Sequence, residues 1–232
     1  MSIRCDYLIV GAGIVGLTIA RELTSRFPTA KIVILEKEPK PAMHASGRNS
    51  GVMHSGIYYD KNTLKAKVCS HGAARMRTFA QENGIAYSNC GKVIIATSEK
   101  DLPVVDKLLG NAAANGIRAE KLDVQGVKEL EPHATPYQVG IYSPDTFVID
   151  SKAVVRVLQE QLTQRGVTFV LGSAVTDINP TTHAVTAGNE IYHYGYLFNC
   201  AGASADRIAR PFGLCSDYTL LPLKGMYYQL RP

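Results

Sequence analysis

The chain opens on an apolar segment that runs into a glycine-rich turn, Asp6-Tyr7-Leu8-Ile9-Val10-Gly11-Ala12-Gly13-Ile14-Val15-Gly16. A second apolar segment, Ile32-Val33-Ile34-Leu35, ends in Glu36. The order strand, glycine turn, helix, strand, acid admits few folds, because each residue answers a separate demand. Gly11 permits a tight turn, Gly13 offers bare backbone to a pyrophosphate, and Gly16 lets the helix pack close to the sheet. The helix N-terminus presents unpaired N–H groups and the positive end of its dipole to phosphates. Glu36 stands 20 residues after Gly16, where a carboxylate can accept hydrogen bonds from ribose hydroxyls. The pattern predicts an α/β fold with a parallel sheet and a dinucleotide site. Alone, it suits nicotinamide and flavin dinucleotides equally, and a glycine turn with no ligand shares its outline.

At 232 residues the chain is long enough for one substantial core or two modest ones. Its 46% hydrophobic and 19% charged residues describe a globular protein. A net charge of +5 with no basic run and no Trp argues against nucleic acid, although a positive field also attracts acidic substrates. Cys5, Cys69, Cys90, Cys200 and Cys215 are odd in number and contain no CxxC pair. They read as reduced thiols in a reducing compartment. No apolar run approaches the roughly 18 residues that span a bilayer. The first strand begins almost at Met1 and leaves no room for a leader, so the expected location is the cytoplasm. Peripheral contact with the inner face of the membrane stays open.

Along the chain, periodicity predicts a helix over 14–26 with Leu17, Ala20 and Leu23 on one face, and a strand over Lys31–Glu36. Residues 39–60 carry Gly, Ser, Asn and Pro with no periodicity, and a loop this long is usually functional or disordered. Asn62–Asn83 reads as a helix, with Leu64, Val68, Gly72, Met76 and Phe79 recurring at helical spacing and Gly84 at its C-terminal stop. Lys92–Thr97 reads as a strand. Ser98 can cap a helix carrying Leu102, Val105, Leu108, Leu109 and Ala112, which stops at Asn115-Gly116. A short helix over Val124–Leu130 and a strand over Gln138–Tyr142 follow. The helix opened by Asp150-Ser151 carries Val154, Val155, Leu158 and Leu162 inward. Strands are then expected over Val167–Leu171, Ala174–Ile178, Ala184–Thr186, Ile191–Tyr194 and Tyr196–Cys200. Ala201-Gly202 leads to a helix ending at Arg210, and Thr219–Leu230 reads as one extended strand. The βαβ pattern is interrupted from about residue 86 to residue 146, which suggests an inserted domain.

The stretch Ser46-Gly47-Arg48-Asn49-Ser50-Gly51-Val52-Met53-His54-Ser55-Gly56 distinguishes the dinucleotides. It is rich in hydroxyls, amides and flexible backbone. Arg48 can pair with phosphate oxygens, Asn49 and Ser50 can hydrogen-bond, and the loop can wrap the edge of a ring system. A simple nicotinamide-binding half has no need of it.

These residues carry a resemblance. Val10–Gly16, Leu35-Glu36-Lys37, the run Ser46–Tyr59, Asn89-Cys90-Gly91-Lys92 and Pro222–Tyr228 resemble the D-amino-acid-oxidase-like flavoenzymes, and within them the L-2-hydroxyglutarate oxidase/dehydrogenase group. The first two motifs are widely shared; Ser46–Tyr59 and Pro222–Tyr228 are more specific. The resemblance spans nearly the whole chain and roughly the first half to three fifths of such a protein. It implies a Rossmann-like, glutathione-reductase-like FAD-binding domain, a parallel sheet plus a three-stranded β-meander, over 1–85 and 146–212. It further implies an inserted, partial α+β substrate domain over 86–145 and 213–232, C-terminally incomplete.

The resemblance also implies roles. FAD would lie extended, with Gly11, Ala12, Gly13 and Gly16 at its pyrophosphate and Glu36 and Lys37 at the adenine-side ribose. Ser46, Arg48, Asn49, Ser50 and Gly51 would line the flavin side. Val175 would meet the adenine through its backbone, and Cys200, Ala201 and Gly202 would add a close backbone contact. His54 would lie near the flavin ring and is open to three roles: a structural histidine, a proton acceptor or flavin-tuning group, or a point of covalent attachment. Tyr58, Tyr59, Lys224, Tyr227 and Tyr228 are candidates around a substrate cavity, with Lys224 either attracting a carboxylate or standing at a strand edge. His44, His71, His133, His183 and His193 are scattered without metal-ligand spacing.

The implied reaction is hydride transfer from a small 2-hydroxy carboxylic acid to flavin N5, with L-2-hydroxyglutarate yielding 2-oxoglutarate and the electrons passing to oxygen or a quinone. Two alternatives stand beside it. One is an FAD- or ADP-binding fragment that needs a second chain or segment, and an uncovered strand that invites self-association. The other is an FAD-dependent oxidoreductase of amino acids or of the glycerol-3-phosphate type.

Overall fold

A computed structural model describes residues 2–223, 225 and 226. The first part of the chain forms strand β1 (Ser2–Val10), helix α1 (Ile14–Arg26), β2 (Ile32–Leu35), β3 (Val52–Met53), α2 (Leu64–Glu82), β4 (Tyr87–Asn89) and β5 (Lys92–Ile95). Next come α3 (Leu102–Ala114), β6 (Glu120–Asp123), α4 (Val124–Leu130), β7 (Val139–Ser143) and β8 (Phe147–Ile149). The last part holds α5 (Ser151–Gln164), β9 (Thr168–Val170), β10 (Val175–Asn179), β11 (Ala184–Ala187), β12 (Glu190–Asn199) and α6 (Ala205–Ala209). The chain divides into two compact units, Met1–Arg48 with Lys152–Pro232, and Asn49–Ser151.

The first unit is built on a six-stranded sheet of order β10-β11-β12-β1-β2-β9. β12, β1, β2 and β9 run parallel, and β10 and β11 complete an antiparallel meander with β12. All four residues of β2 are buried, as a parallel strand covered on both faces requires. α1 buries Gly16, Leu17, Ala20 and Leu23, and α5 buries Val154, Val155, Leu158 and Leu162, each a stripe at helical spacing. A core of Cys5, Leu8, Val33, Leu35, Val185, Ala187, Tyr192 and Tyr194 joins the parallel strands to the meander.

The parallel register aligns the strand ends. Val10 sits opposite Asn199 on one side and Leu35 on the other, and Leu35 sits opposite Val170. Cys200, Gly11 and Glu36 therefore leave the sheet side by side at its carboxyl edge, where open α/β sheets place their ligands.

The second unit holds two antiparallel three-stranded sheets, β3-β8-β4 and β5-β7-β6. Its core gathers Ile57, Ala96, Val105, Leu108, Ala112, Val139 and Ile141. α3 is led in by a capping box between Ser98 and Asp101.

Several expectations need correction. The strands expected separately over Ile191–Tyr194 and Tyr196–Cys200 are one strand, β12. Gly195 reads as a break but is a close approach, since a Cβ there would lie 2.9 Å from the Asp6 carbonyl oxygen. Strands β3, β4, β6 and β8 have two to four residues each, too few for alternation to declare itself. The helix expected over Asn62–Asn83 is α2, whose helical-spaced residues are covered only at its end: Leu64 is 74% and Val68 55% exposed, while Phe79 is buried. The described residues of Thr219–Leu230 join no sheet, having no strand beside them among the described residues; Lys224 and 227–230 lie outside the described residues.

Cys5 is buried, and burial, then the charge of Asp6, pushes its thiol up to about 11. Cys90 and Cys215 are exposed. Alkylation of the native protein at about pH 8 is expected to modify Cys90 and Cys215 and to spare Cys5 until the chain is unfolded. Peptide mass mapping checks this, and prompt native labelling of Cys5 contradicts the burial of β1.

Candidate functional site

The turn after β1 is shaped by three glycines with three different reasons. Gly11 has φ +109°, and a Cβ on it would sit 2.3 Å from the Cys200 carbonyl oxygen. A Cβ on Gly16 would sit 2.1 Å from the Gly11 carbonyl oxygen and 3.2 Å from Ile9 Cγ2. Gly13 has an ordinary extended backbone, φ −79° and ψ 176°. A Cβ there would meet only Ser46 Oγ, at 3.1 Å. Gly11 and Gly16 are thus required by the fold, and Gly13 keeps a surface bare.

Gly13 is the N-cap of α1, with no side-chain cap and no acidic residue in the first turn. The first N–H groups of a helix have no intrahelical acceptor. Ser46 Oγ accepts from the Ile14 N–H at 3.0 Å. The site is an anion seat by geometry and by dipole. Ser46, which the resemblance assigns to the flavin side, stands beneath this helix end. The sequence signal that could place it there is the lack of any cap residue at Gly13.

Glu36 is buried, at 8% exposure. Its Oε2 accepts from the Ala12 N–H at 2.8 Å, and its Oε1 accepts from the Glu38 N–H at 2.9 Å. An ionised carboxylate has about four acceptor positions, so these bonds fix the side chain and leave capacity for hydroxyl donors. Lys37, next along, is exposed. On the other side of Gly11, the Cys200 N–H donates to the Val10 carbonyl at 2.9 Å, and burial raises the Cys200 thiol pKa. The Ala201 N–H donates to Asn199 Oδ1 at 3.3 Å, and Gly202 turns the chain with φ +56°. Val175 opens β10 opposite Ala187 and packs, half-buried, on the sheet core. The structure therefore brings Gly11, Ala12, Gly13, Gly16, Glu36, Ser46 and Cys200 together.

Arg48 and Asn49 are exposed where the first unit passes to the second, and Ser50 is exposed after them. Asn49 Oδ1 accepts from the Gly51 N–H at 2.9 Å. Gly51 has φ +69°, and a Cβ there would lie 2.5 Å from the Ile149 carbonyl oxygen. This approach seats β3 against β8.

β3 delivers the turn His54–Tyr59. Ile57 anchors it in the core of the second unit. The Cys69 thiol donates to the His54 carbonyl at 3.1 Å, Asn115 Nδ2 donates to the Tyr59 carbonyl at 2.8 Å, and Ser55 Oγ lies 3.4 Å from Ser143 Oγ. The His54 ring is exposed and meets Tyr58 edge-on, with 6.3 Å between centres. Lys92 Nζ donates to Tyr58 Oη at 3.3 Å and lies 4.6 Å from its ring centre. Partial burial, and then the charge of Lys92, hold the His54 pKa below its ordinary value, so the ring is neutral and able to accept a proton at neutral pH. Lys92, part of the motif Asn89-Cys90-Gly91-Lys92 but not among the expected site residues, stands directly after the Cys90-Gly91 turn. Tyr59 is half-buried, with Lys65 Nζ 5.7 Å from its ring centre. Lys224 and Tyr227 lie outside the described residues. Among the described residues no group of His, Cys, Asp and Glu could hold a metal ion, and no helix is long and apolar enough to cross a membrane.

The two glycine roles separate by mutation. Gly11→Ala forces a Cβ into backbone at positive φ and is expected to cost more than about 2 kcal/mol of stability. Gly13→Ala is expected to cost under about 1 kcal/mol, since only the Ser46 side chain must give way, while lowering affinity for ADP at least about tenfold. Thermal unfolding and ADP calorimetry on both variants check this; equal losses of stability contradict it.

Residues 6–232 match the family described as FAD dependent oxidoreductase. The chain is 35% identical over 231 residues to L-2-hydroxyglutarate dehydrogenase of Escherichia coli (strain K12), covering 98% of this chain and 54% of that one. The mitochondrial L-2-hydroxyglutarate dehydrogenase of Homo sapiens is 35% identical over 243 residues, covering 98% of this chain and 52% of that one. The chain thus spans about half the length of the curated relatives it matches.

Among solved structures, L-alpha-glycerophosphate oxidase from Mycoplasma pneumoniae, with FAD bound, is similar at TM-score 0.80 and 26% identity, over 89% of this chain and 56% of that one. Glycine oxidase from Geobacillus kaustophilus shares the fold, at TM-score 0.83 and 20% identity, over 91% of this chain and 59% of that one. The residues at the strand ends fit the ADP half of FAD: bare Gly13 and the α1 N-terminus suit a pyrophosphate, and the open acceptor positions of Glu36 suit a ribose. With a match that runs over residues 6–232, the chain belongs to the family of FAD-dependent oxidoreductases.

Proposed function

We propose that this chain serves the FAD-dependent oxidation of a 2-hydroxy dicarboxylic acid, L-2-hydroxyglutarate, to 2-oxoglutarate. The observation that carries the substrate is the 35% identity, over 98% of the chain, to the Escherichia coli L-2-hydroxyglutarate dehydrogenase. When bound, FAD supplies a two-electron acceptor for the hydride lost from C2. The chain's own residues do the rest. Gly13 and the α1 N-terminus bind the pyrophosphate, Glu36 binds the ribose, and Ala12 is held in place by Glu36. Val175 meets the adenine through its backbone, Cys200, Ala201 and Gly202 add a close backbone contact, and Arg48, Asn49, Ser50 and Gly51 serve the flavin side. His54, kept neutral, takes the proton that the C2 hydroxyl loses. Tyr59, Lys224 and Tyr227 border the substrate. Oxygen or a quinone receives the electrons in turn.

In this reading, 1–85 with 146–212 is the FAD domain and 86–145 with 213–232 is part of the substrate domain. A second reading is supported by the chain's spanning about half the length of its relatives: it holds FAD or ADP and reacts only with a second chain or segment.

The purified chain is expected to be yellow and to bleach when L-2-hydroxyglutarate is added without oxygen. Yellow protein that does not bleach supports the second reading, and colourless protein without affinity for FAD contradicts both. In a bleaching protein, His54→Ala is expected to retain FAD and slow the reduction by about 10²- to 10⁴-fold. The lowered pKa of His54 fixes the sign of the pH dependence. Reduction holds its rate from alkaline pH down through about 6.5, the ordinary histidine value, and falls at lower pH as the ring takes up a proton. Stopped-flow reduction at limiting substrate, which reports the groups of the free protein, checks this across pH; an acid limb above that value contradicts the role.

A further inference from the structure

Lys92 is a cation with an anchored position and, among the described residues, no anion beside it. It begins β5 immediately after Gly91, which turns the chain with φ +65°. Its ammonium is fixed twice by one side chain, through the hydrogen bond to Tyr58 Oη at 3.3 Å and the contact 4.6 Å above the Tyr58 ring. Hydrogen bond and cation–π contact together orient a group that is otherwise a flexible point charge. Among the described residues, no carboxylate stands within ion-pair distance of it. The acid on the turn after β7, Asp145, is held by both arms of Arg118, at 2.8 and 2.6 Å. A half-buried ammonium held in place without a counter-charge is a ready receptor for a carboxylate.

Its neighbourhood narrows the ligand. Tyr58 ties Lys92 to His54, the two rings meeting edge-on at 6.3 Å. Among the described residues, Tyr58 on the same turn meets the His54 ring, Lys92 from β5 acts on it by charge, and the Cys69 thiol from α2 bonds the His54 carbonyl. The local site therefore offers one positive charge, one neutral proton acceptor and one phenol. A hydroxy acid presents the matching set, a carboxylate and a hydroxyl.

We propose that Lys92, held by Tyr58 beside His54, binds a carboxylate of the hydroxy-acid substrate and so sets specificity for acids. The inference rests on the hydroxy-acid reading above. It adds that carboxylate binding neutralises Lys92 and removes the positive charge that disfavours protonation of His54. The bound acid thereby makes its own proton acceptor more basic.

The test is an NMR titration of the His54 ring in the intact FAD-loaded chain, assigned with His54→Gln. The probe is glutarate, a diacid that has no hydroxyl to oxidise. In wild type, the His54 signal is expected to move on saturation and the His54 pKa to rise. In Lys92→Met, the pKa without ligand is expected to start higher, and half-saturation to need at least about tenfold more glutarate, the scale of one lost charged hydrogen bond. Lys92→Arg, which keeps the charge and secures the test should the Met variant not fold, is expected to restore most of the affinity. Equal glutarate midpoints in wild type and Lys92→Met overturn the role of Lys92 and leave the hydroxy-acid reading standing. A wild-type His54 signal that responds neither to glutarate nor to L-2-hydroxyglutarate overturns both.

Discussion

The first unit depends on one close approach. Gly11 lies against the Cys200 carbonyl so tightly that a single added carbon would sit 2.3 Å from its oxygen. That contact is possible because β12, β1 and β2 run parallel and end level, at Asn199, Val10 and Leu35. The level ends let the Gly11 N–H reach the Leu35 carbonyl at 2.8 Å and bring Glu36 within 2.8 Å of the Ala12 N–H. A turn so tied on both sides points the start of α1 outward as a fixed anion seat, with its donors arranged before any ligand arrives.

Glu36 therefore works twice. As a buried carboxylate it requires hydrogen-bond partners, and the backbone of Ala12 and Glu38 supplies them. As an acceptor with unused lone pairs, it is the group that suits a ribose. The same residue stabilises the turn and completes the site, and the two jobs are inseparable in the folded chain.

Much of this was legible in the sequence, for physical reasons. Glycines at 11, 13 and 16 followed by a carboxylate at 36 leave few alternatives, and the inward faces of α1, α3 and α5 follow from apolar spacing alone. Legibility failed where tertiary context decides. β12 hides its continuity behind Gly195, which serves a close strand contact. The stripe of α2 has helical spacing, yet Leu64 and Val68 are exposed, because spacing says which residues share a face and not whether anything covers it. Ser46 sits in a loop without periodicity, and only the fold shows its hydroxyl on the Ile14 N–H. Lys92 looks like any lysine at a strand start until Tyr58 is placed beneath its ammonium. In each case the deciding partner is remote in sequence, by 32 residues for Ser46 and 34 for Lys92.

The central claim is that the strand-end cluster of the first unit holds the ADP half of FAD. An amide NMR titration of the chain with ADP, and separately with FMN, tests it most directly. The account predicts that ADP moves the signals of Gly11–Gly16 and Glu36 while FMN leaves them in place. ADP that leaves those signals unmoved, or FMN that moves them equally, would contradict it.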